Sequence, residues 1–573
     1  MDRLLEASPW IGLFGVPLAT ALLIAFAPAR VVSERAIALG GTLLTLVLAS
    51  LIAALVFDWS DGANPDGMAF SVEWLSQLGI SLALGVDSVS MLLILLSALL
   101  GPLCVLGSWT AIDHDRKTFY AWLLVLQAAM TGVFAARDLV VFYTCFEFTL
   151  VPMYVLISLF GSSNRKAAAT KFFLYTFTGS LVTLAGFVYV VWYTAQQLGG
   201  EWTFDIATLT MSAATMSVTQ QTWVMLAMLA GFAVKVPLFP VHTWLPMAHT
   251  EAPTAGSVVL AGVLLKLGTY GIYRFVLPFC PAACAEYAPI IATLSIIGIV
   301  YAGLICWVQT DVKKLVAYSS VSHLGFCVLG LFALNSTGIE GSVLYMINHG
   351  LSTGGLFFLI GFMYERYHTR SMRELGGLGA KMPVWTCFMV FFAMASVGLP
   401  GLNGFVSEFM CMLGTFQAGG DMWQNYATSA GPLPAATWGT LGPFYALIAG
   451  TGVIVAAIYL LFLVGRVCFG PLKEPAGHAA HEHDEHGESL PADIGKREIA
   501  TLLPLAIGCL VLGLKPGLVL DPIEAPVIAT VEAVIEGADR AGLGPGADSV
   551  LTAEADAEVS DADEGGTLNG GDL

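Results

Sequence analysis

Six ionisable side chains lie within long apolar stretches of the sequence, where a charged group is unfavourable. They are Glu147, Lys235, Lys266, His323, His349 and Glu408. A charged side chain at the centre of a bilayer costs at least about 2.5–3.5 kcal/mol, so an ionisable residue there is first considered functional. Histidine titrates near neutral pH, and burial makes a lysine easier to deprotonate. The set therefore predicts a pathway along which protons are exchanged.

Static roles for the same residues remain open as alternatives. Glu147 and Lys235 can form an ion pair that only stabilises a helix bundle, and a lone histidine on a packed helix is often a core residue. Lys266 is harder to explain in this way, because Glu408 is the other candidate carboxylate and lies far along the sequence. A row of lysines, histidines and acids is needed by a proton relay and not by a scaffold.

Polar residues flank both histidines at helical spacing. Ser319 lies one turn before His323, and Asn348 and Thr353 lie beside His349. Residues three or four apart share a helix face, so these side chains are predicted to be hydrogen-bonding neighbours of the two imidazoles.

The elements that must position these residues are apolar segments long enough to cross a bilayer. The chain has 573 residues, with 57% hydrophobic and only 12% charged residues, about half the charged share of a soluble domain. Runs of at least about 17 apolar residues recur along the chain. They lie near residues 10–27, 36–57, 89–109, 119–135, 138–160, 168–194, 221–242, 253–277, 288–308, 312–334, 342–364, 384–412, 443–469 and 499–519. The sequence predicts an all-α polytopic membrane protein of about 14 transmembrane helices, numbered here 1 to 14.

The distribution of Lys and Arg predicts how these helices are oriented. Loops and flanks that follow odd-numbered helices carry 17 of the 24 basic residues, and the opposite side carries five. Lys235 and Lys266, within helices, complete the total. Because basic residues concentrate in cytoplasmic loops, the odd-numbered loops are predicted to face the cytoplasm. Both termini are then on the outer, periplasmic side of a bacterial inner membrane.

Predicted helices 7 and 12 are both interrupted by proline. Pro237 and Pro240 follow Lys235 closely in helix 7, and Pro400 precedes Glu408 in helix 12. Proline removes a backbone donor and opens the helix, and open backbone at membrane depth is tolerated only against protein or a water-filled cavity. The two breaks lie five helices apart, which predicts two inverted five-helix repeats, helices 4–8 and helices 9–13.

These observations divide the chain into five predicted parts. They are three N-terminal helices in 1–110, the first repeat in 111–280, the second repeat in 281–470, a cytoplasmic histidine-rich linker with helix 14 in 471–520, and an acidic, partly disordered tail on the outer face in 521–573.

Three features outside the helices carry further expectations. A short amphipathic helix on the outer face is predicted by the helical spacing of Val527, Ile528, Val531, Val534 and Ile535. Cys280 and Cys284 lie in the predicted loop between helices 8 and 9, where a disulfide is the alternative and unpaired thiols are the favoured interpretation. The histidines between residues 478 and 486 are interpreted as part of a polar linker, and the cysteine pattern predicts no metal or iron–sulfur site.

Several stretches around the ionisable residues match the pattern of a known family. They read FEFTLVPMY at 146–154, KVPLFPVHTWLP at 235–246, EAPTAGS at 251–257, LLK at 264–266, DVKKLVAYSSVSH at 311–323 and NHGLSTGG at 348–355. In this order, over roughly residues 80–470, they resemble the antiporter-like membrane subunits of respiratory complex I (NADH-quinone oxidoreductase). Broken helix 12 usually carries a lysine in this family, and Glu408 resembles the branch that carries a glutamate. Met247 stands where the family usually has an aspartate, so no role of that aspartate is carried over.

The resemblance implies a proton-translocating subunit in which Glu147, Lys235, Lys266, His323, His349 and Glu408 form the relay. It also implies that the chain has no cofactor of its own, with NADH, FMN, iron–sulfur clusters and quinone held by other subunits. The implied partners are other membrane subunits of the complex, including sister antiporter-like chains, and membrane lipids, with no nucleic acid. A subunit of a multisubunit sodium/proton antiporter or of a membrane-bound hydrogenase remains the alternative, and a non-pumping scaffold is the simplest rival.

Overall fold

The computed structural model describes residues 9–26, 33–59, 68–418, 440–475 and 493–542. Helices dominate these ranges. The α-helices are α1 (Val16–Phe26), α2 (Glu34–Leu55), α3 (Ser88–Gly107), α4 (Arg116–Ala135), α5 (Leu139–Phe148), α6 (Leu150–Phe160), α7 (Arg165–Gln197), α8 (Ile206–Ala213), α9 (Val218–Lys235), α10 (Leu245–Glu251), α11 (Thr254–Val259), α12 (Lys266–Gly271), α13 (Leu277–Phe279), α14 (Pro281–Val308), α15 (Val312–Leu331), α16 (Ser336–Tyr367), α17 (Pro383–Val397), α18 (Asn403–Gln417), α19 (Pro443–Val467), α20 (Lys496–Leu514) and α21 (Gly517–Arg540). Shorter elements are π-helical turns at Ile11–Gly15, Leu260–Leu264 and Ile272–Val276, 3-10 turns at Ser76–Leu78 and Leu378–Ala380, and strands β1 (Phe70–Leu75) and β2 (Ile80–Leu84).

The predicted all-helical membrane fold is confirmed. Within the described ranges, eleven continuous helical runs are long and apolar enough to cross a membrane, and two shorter apolar helices lie at Ile11–Phe26 and Pro383–Val397. Each of the fourteen predicted segments coincides with one helix or with a run of consecutive helical elements. The exact number of spans and the inverted repeats stay predictions.

Two helical runs form the centre of the bundle. Every residue in the apolar windows of Thr254–Phe279 and Ser336–Tyr367 is buried, whereas only about a third of the windows in α19 and α20 is buried. The outer helices therefore shield the central pair from lipid. Lys266 and His349 lie on these two central runs, which places both residues deep inside the protein.

The predicted break in helix 7 is present. Helix α9 ends at Lys235, because Pro237 and Pro240 cannot continue it, and the short helix α10 begins at Leu245. The indole of Trp244 donates a hydrogen bond to the backbone carbonyl of Val234 at 2.9 Å. The Val234 carbonyl at the break is thus hydrogen-bonded by a protein side chain, as an opened backbone at membrane depth requires.

The predicted break in helix 12 is also present. Helix α17 ends at Val397, and Gly398 adopts a φ of +81°, the left-handed conformation that commonly terminates a helix. Pro400 follows, and helix α18 begins at Asn403. A methyl group at Gly398 would lie 2.7 Å from the Glu408 carboxylate, so the break and the acid are in close contact.

The loops that follow odd-numbered predicted helices meet on one face of the bundle. Arg366, at the end of α16, forms a buried two-point ion pair with Glu498 of α20, with N–O distances of 2.8 and 2.9 Å. Arg497 donates to Thr110 at 3.0 Å, and the Ser162 amide donates to a carbonyl in α10 at 2.9 Å. This common face is what the predicted topology requires, while its cytoplasmic orientation stays a prediction.

The predicted loop between helices 2 and 3 contains an antiparallel hairpin. Strands β1 and β2 pair with Phe70 opposite Leu84 and Glu73 opposite Ser81. The Ser81 amide donates to the Asp138 carboxylate at 2.9 Å, which attaches the hairpin to the start of α5. Nothing in the apolar pattern predicted this element.

The predicted amphipathic helix is confirmed and is longer than expected. Helix α21 extends over 24 residues and buries Val527, Val531 and Val534. Cys280 and Cys284 are free, buried thiols, so the disulfide alternative is wrong. Cys280 lies between α13 and α14, as predicted, whereas Cys284 lies within α14 and not in the loop. The histidines at 478–486 and the tail beyond residue 542 lie outside the described residues.

Candidate functional site

Lys235 is buried at the point where α9 ends. Its Nζ donates a hydrogen bond to the Thr149 hydroxyl at 3.4 Å and lies 4.4 Å from the centre of the Phe146 ring. The Thr149 hydroxyl in turn donates to the Phe146 carbonyl at 2.7 Å. The lysine is thus held by a hydroxyl and an aromatic face, two groups that stabilise a cation.

The predicted contact between Glu147 and Lys235 is not formed. The two side chains are not within ion-pair distance, and Glu147 is only partly buried on α5. Glu147 Oε1 has no hydrogen-bond partner among the described residues. Glu147 is thus more exposed than Lys235, which is buried.

Lys266 and His349 form a direct buried contact between the two central helical runs. The Lys266 Nζ lies 2.7 Å from His349 Nδ1 and also donates to the Ala261 carbonyl. Both side chains are almost completely buried. Lys266 lies between the two π-helical turns of its helix, a distortion that occurs often at functional sites.

His323 and Glu408 belong to a second buried cluster, completed by two tyrosines. His323 Nδ1 lies 3.2 Å from Glu408 Oε1 and 2.6 Å from the Tyr345 hydroxyl. The Tyr345 hydroxyl donates to the same Glu408 oxygen, and the Tyr459 hydroxyl lies 3.2 Å from His323 Nε2. Every polar atom of this imidazole therefore has a partner that can give or accept a proton.

The two clusters are adjacent. The rings of His323 and His349 are 6.0 Å apart between centroids, and His349 Nε2 has no hydrogen-bond partner among the described residues. One water molecule can bridge such a separation. Lys266, His349, His323 and Glu408 are thus brought into one row, whereas Glu147 and Lys235 are not joined to it by direct contact.

The polar neighbours predicted for the histidines have other partners. Ser319 donates to the Val316 carbonyl at 2.8 Å, and Asn348 pairs reciprocally with Asn403 through side-chain amides and backbone carbonyls at 2.8 and 3.1 Å. The expectation that these residues bind the imidazoles is wrong. The amide pair instead connects α16 to the start of α18 and so positions the helix that carries Glu408.

Sequence reasoning missed three members of the site. Tyr345 lies four residues before His349, so helical spacing could have identified it, but Tyr459 comes from a distant helix. His249 is completely buried, and its ring stacks on Phe357 with centroids 4.7 Å apart. Neither ring nitrogen of His249 has a partner among the described residues.

The fold and this row of residues define a polytopic membrane protein with ionisable side chains in contact inside its bundle. Its broken helices, its central ionisable residues and its shielded position are typical of ion-translocating membrane subunits.

The chain belongs to the family described as NADH:quinone oxidoreductase/Mrp antiporter, TM, which matches residues 136–430. Residues 42–132 match the family described as NADH-ubiquinone oxidoreductase chain 4, amino terminus. NADH-quinone oxidoreductase subunit M of Rhodobacter capsulatus is 39% identical over 535 residues, covering 90% of this chain and 95% of that protein. NADH-ubiquinone oxidoreductase chain 4 of Prototheca wickerhamii is 38% identical over 527 residues, covering 90% and 92%.

A solved structure shares the fold. A chain in respiratory complex I from Thermus thermophilus with bound NADH aligns with a TM-score of 0.76 at 27% identity, covering 93% of this chain and 100% of that one. The resemblance to the antiporter-like subunits of complex I, and to subunit M among them, is confirmed.

Proposed function

We propose that this chain moves protons across the membrane as subunit M of an NADH:quinone oxidoreductase, with quinone reduction in other subunits as the energy source. The contact row from Lys266 through His349 and His323 to Glu408 carries this proposal. The row connects a lysine, two histidines and an acid within a shielded bundle. Lys266 Nζ lies 2.7 Å from His349 Nδ1 in the first cluster, and His323 Nδ1 lies 3.2 Å from Glu408 Oε1 in the second. A scaffold does not require four exchangeable groups in contact order.

Each group has a distinct place in the proposed path. Lys235, held by Thr149, is the cation at the break after α9, and Glu147 adjusts its charge state from a greater distance. Protons are taken up from the cytoplasmic side and pass along the row to Glu408. Release to the outer side follows from Glu408, because the helix break at Gly398 places opened backbone against this carboxylate.

The proposal includes the setting of the chain. Both termini lie on the outer side of a bacterial inner membrane, as the charge distribution predicts. Other membrane subunits of the complex, including sister antiporter-like chains, and membrane lipids surround it. NADH, FMN, iron–sulfur clusters and quinone bind elsewhere in the assembly, and this chain contributes no redox centre and binds no nucleic acid.

Purification of the intact assembly in vesicles tests this function. NADH oxidation and proton uptake are measured together for the unmodified complex and for Lys266→Met, which keeps the length of the side chain and removes its titratable amine. We expect the variant to assemble and to translocate fewer protons per electron. A normal ratio in Lys266→Met would contradict the proton-relay proposal.

A sodium/proton antiporter subunit is the second candidate, since the matching family description also includes Mrp antiporters. In that group a lysine is usual at the position of Glu408, which argues against the antiporter function. Sodium dependence separates the two functions: NADH-driven proton uptake that does not change with sodium concentration supports the oxidoreductase subunit. Proton movement driven by a sodium gradient without NADH would favour the antiporter.

A further inference from the structure

Two buried amides connect the helices that carry Tyr345 and Glu408. The Asn348 side chain of α16 donates to the Asn403 carbonyl of α18 at 2.8 Å, and the Asn403 side chain donates to the Asn348 carbonyl at 3.1 Å. Both asparagines are 0% exposed. Hydrogen bonds in the low dielectric of a protein interior are stronger than the same bonds in water, so this reciprocal pair holds the two helices firmly together.

The amide pair lies at the break in helix 12, shortly before the acid. Asn403 is the first residue of α18, and Glu408 follows five residues later. The Asn348 amide also donates to the hydroxyl of Ser407, the residue directly before Glu408, at 3.2 Å. Leu402, at the N-cap of α18, provides no capping side chain. The start of this helix is therefore positioned from outside, by α16.

The same part of α16 carries the hydroxyl that contacts the acid. Tyr345 lies three residues before Asn348 and donates to the Glu408 carboxylate. Residues three apart share a helix face, so the tyrosine and the amide form two contacts between one face of α16 and α18. Two separate contacts restrict both the translation and the rotation of α18 on α16, whereas a single contact leaves rotation free.

Stability alone does not account for the amide pair. Asn348 Oδ1 and Asn403 Oδ1 are buried, and neither accepts a hydrogen bond from another group in the described part of the chain. A buried acceptor without a protein partner destabilises the fold, and apolar side chains of the same shape can join two helices without this cost. The amides are better explained by the geometry that they impose on the helix break.

A third buried asparagine joins the same two helices at a distance from the acid. Asn335, the N-cap of α16, donates to the Gly414 carbonyl near the end of α18 at 2.8 Å. It is 0% exposed, like the other two. Asn335 lies ten residues before Tyr345, which corresponds to about 15 Å along a helix. The helix pair thus contains a matched amide contact that contributes to packing far from Glu408.

We propose that Asn348 and Asn403 are positioning residues for proton exchange at Glu408. The pair holds the start of α18 on α16, so that the carboxylate remains aligned with the Tyr345 hydroxyl and lies 3.2 Å from His323. A shift of α18 by about 1 Å would lengthen this last contact beyond hydrogen-bonding distance. A misplacement of about 1 Å can slow a reaction step by about 10²-fold. This inference rests on the proposed function.

Matched deletions test the proposal in the intact complex. Asn348→Ala and Asn403→Ala each remove one half of the amide pair, and Asn335→Ala removes the distant contact between the same helices. Thermal stability, NADH oxidation and proton uptake are measured for equal amounts of assembled complex in inside-out vesicles. We expect all three variants to lose stability, but only Asn348→Ala and Asn403→Ala to have a lower proton-to-electron ratio.

Infrared difference spectra of the same complexes report directly on the carboxyl group of Glu408. Its band is identified by its loss in Glu408→Gln, and its frequency depends on the hydrogen bonds that the carboxyl group makes. We expect this band to shift in Asn348→Ala and Asn403→Ala and to keep its frequency in Asn335→Ala. A merely structural role would lower stability without moving the band, so this measurement separates positioning from packing.

A milder variant decides the matter if the asparagine variants do not assemble. Ser407→Ala removes only the hydroxyl that Asn348 contacts, and we expect a smaller shift of the same band. An unshifted Glu408 band in every assembled variant would overturn the positioning proposal, as would equal changes of band and ratio in Asn335→Ala and Asn348→Ala. A normal ratio in Lys266→Met would instead contradict the proposed function, because the infrared comparison does not depend on proton uptake.

Discussion

Replacement of Glu408 by glutamine removes a titratable group from the end of the buried row while nearly preserving its shape. The carboxylate accepts a hydrogen bond from Tyr345 and lies 3.2 Å from His323. The amide oxygen of Glu408→Gln can still accept from Tyr345. A neutral hydrogen bond is weaker than one to a charged group by about 1–2 kcal/mol, so we expect the variant to fold and assemble.

The functional effect should be much larger than the structural one. An amide neither binds nor releases a proton near neutral pH, so His323 loses the acid with which it exchanges. Loss of a positioned proton-transfer group typically slows such a step by about 10²–10⁴-fold. Glu408→Asp withdraws the carboxylate by about 1.5 Å, one carbon–carbon bond, which a single water can bridge. We therefore expect partial pumping from the aspartate variant.

The assay compares proton uptake per NADH oxidised in vesicles that contain equal amounts of assembled complex. Glu286→Gln serves as control, because Glu286 is an exposed acid in α14. We expect normal coupling in the control, partial coupling in Glu408→Asp and loss of this chain's contribution in Glu408→Gln. Normal coupling in Glu408→Gln would refute the reasoning and leave Glu408 as a structural acid.

Three further predictions follow from the same region and from the topology. Tyr345→Phe removes the hydroxyl shared by Glu408 and its histidine partner, so proton uptake per electron should fall while the yield of assembled complex remains unchanged. Gly398→Ala should lower both thermal stability and pumping more than Gly401→Ala: both glycines have a positive φ, but only a methyl at Gly398 meets the Glu408 carboxylate. Equal losses in these two variants would show that backbone strain alone is responsible. Tags in the 365–383 loop and at the C-terminus should be accessible to proteases from opposite sides of the membrane, and accessibility from one side would mean that the number of spans is wrong.

The sequence alone was sufficient for the class of fold and for four of the ionisable residues, Lys266, His323, His349 and Glu408, that the structure brings into one row. Long apolar runs can satisfy their backbone in lipid only as helices, so the helical fold could be predicted from them directly. Proline positions also predicted both helix breaks, because proline disrupts the hydrogen bonds of its own helix whatever packs around it. Ionisable residues inside such runs are costly enough that their presence already indicated the candidate site.

Tertiary structure decided which of these residues meet. Helical periodicity assigns a side chain to a face of its own helix but does not specify the partner helix on that face. The expected Glu147–Lys235 contact is therefore absent, while Lys266 pairs with His349 from a helix about eighty residues away.

The same limit applies to burial at helix ends. Lys313 and Lys314 are identical in type and adjacent in sequence, yet one is inside the protein and the other is exposed. What separates them is the carbonyl of Ala252, which packing of a distant short helix brings to Lys313. The sequence by itself determined that charges lie within a helical membrane bundle. Only the packing of distant helices decided which charges contact one another, because those contacts depend on distances between segments that no local pattern encodes.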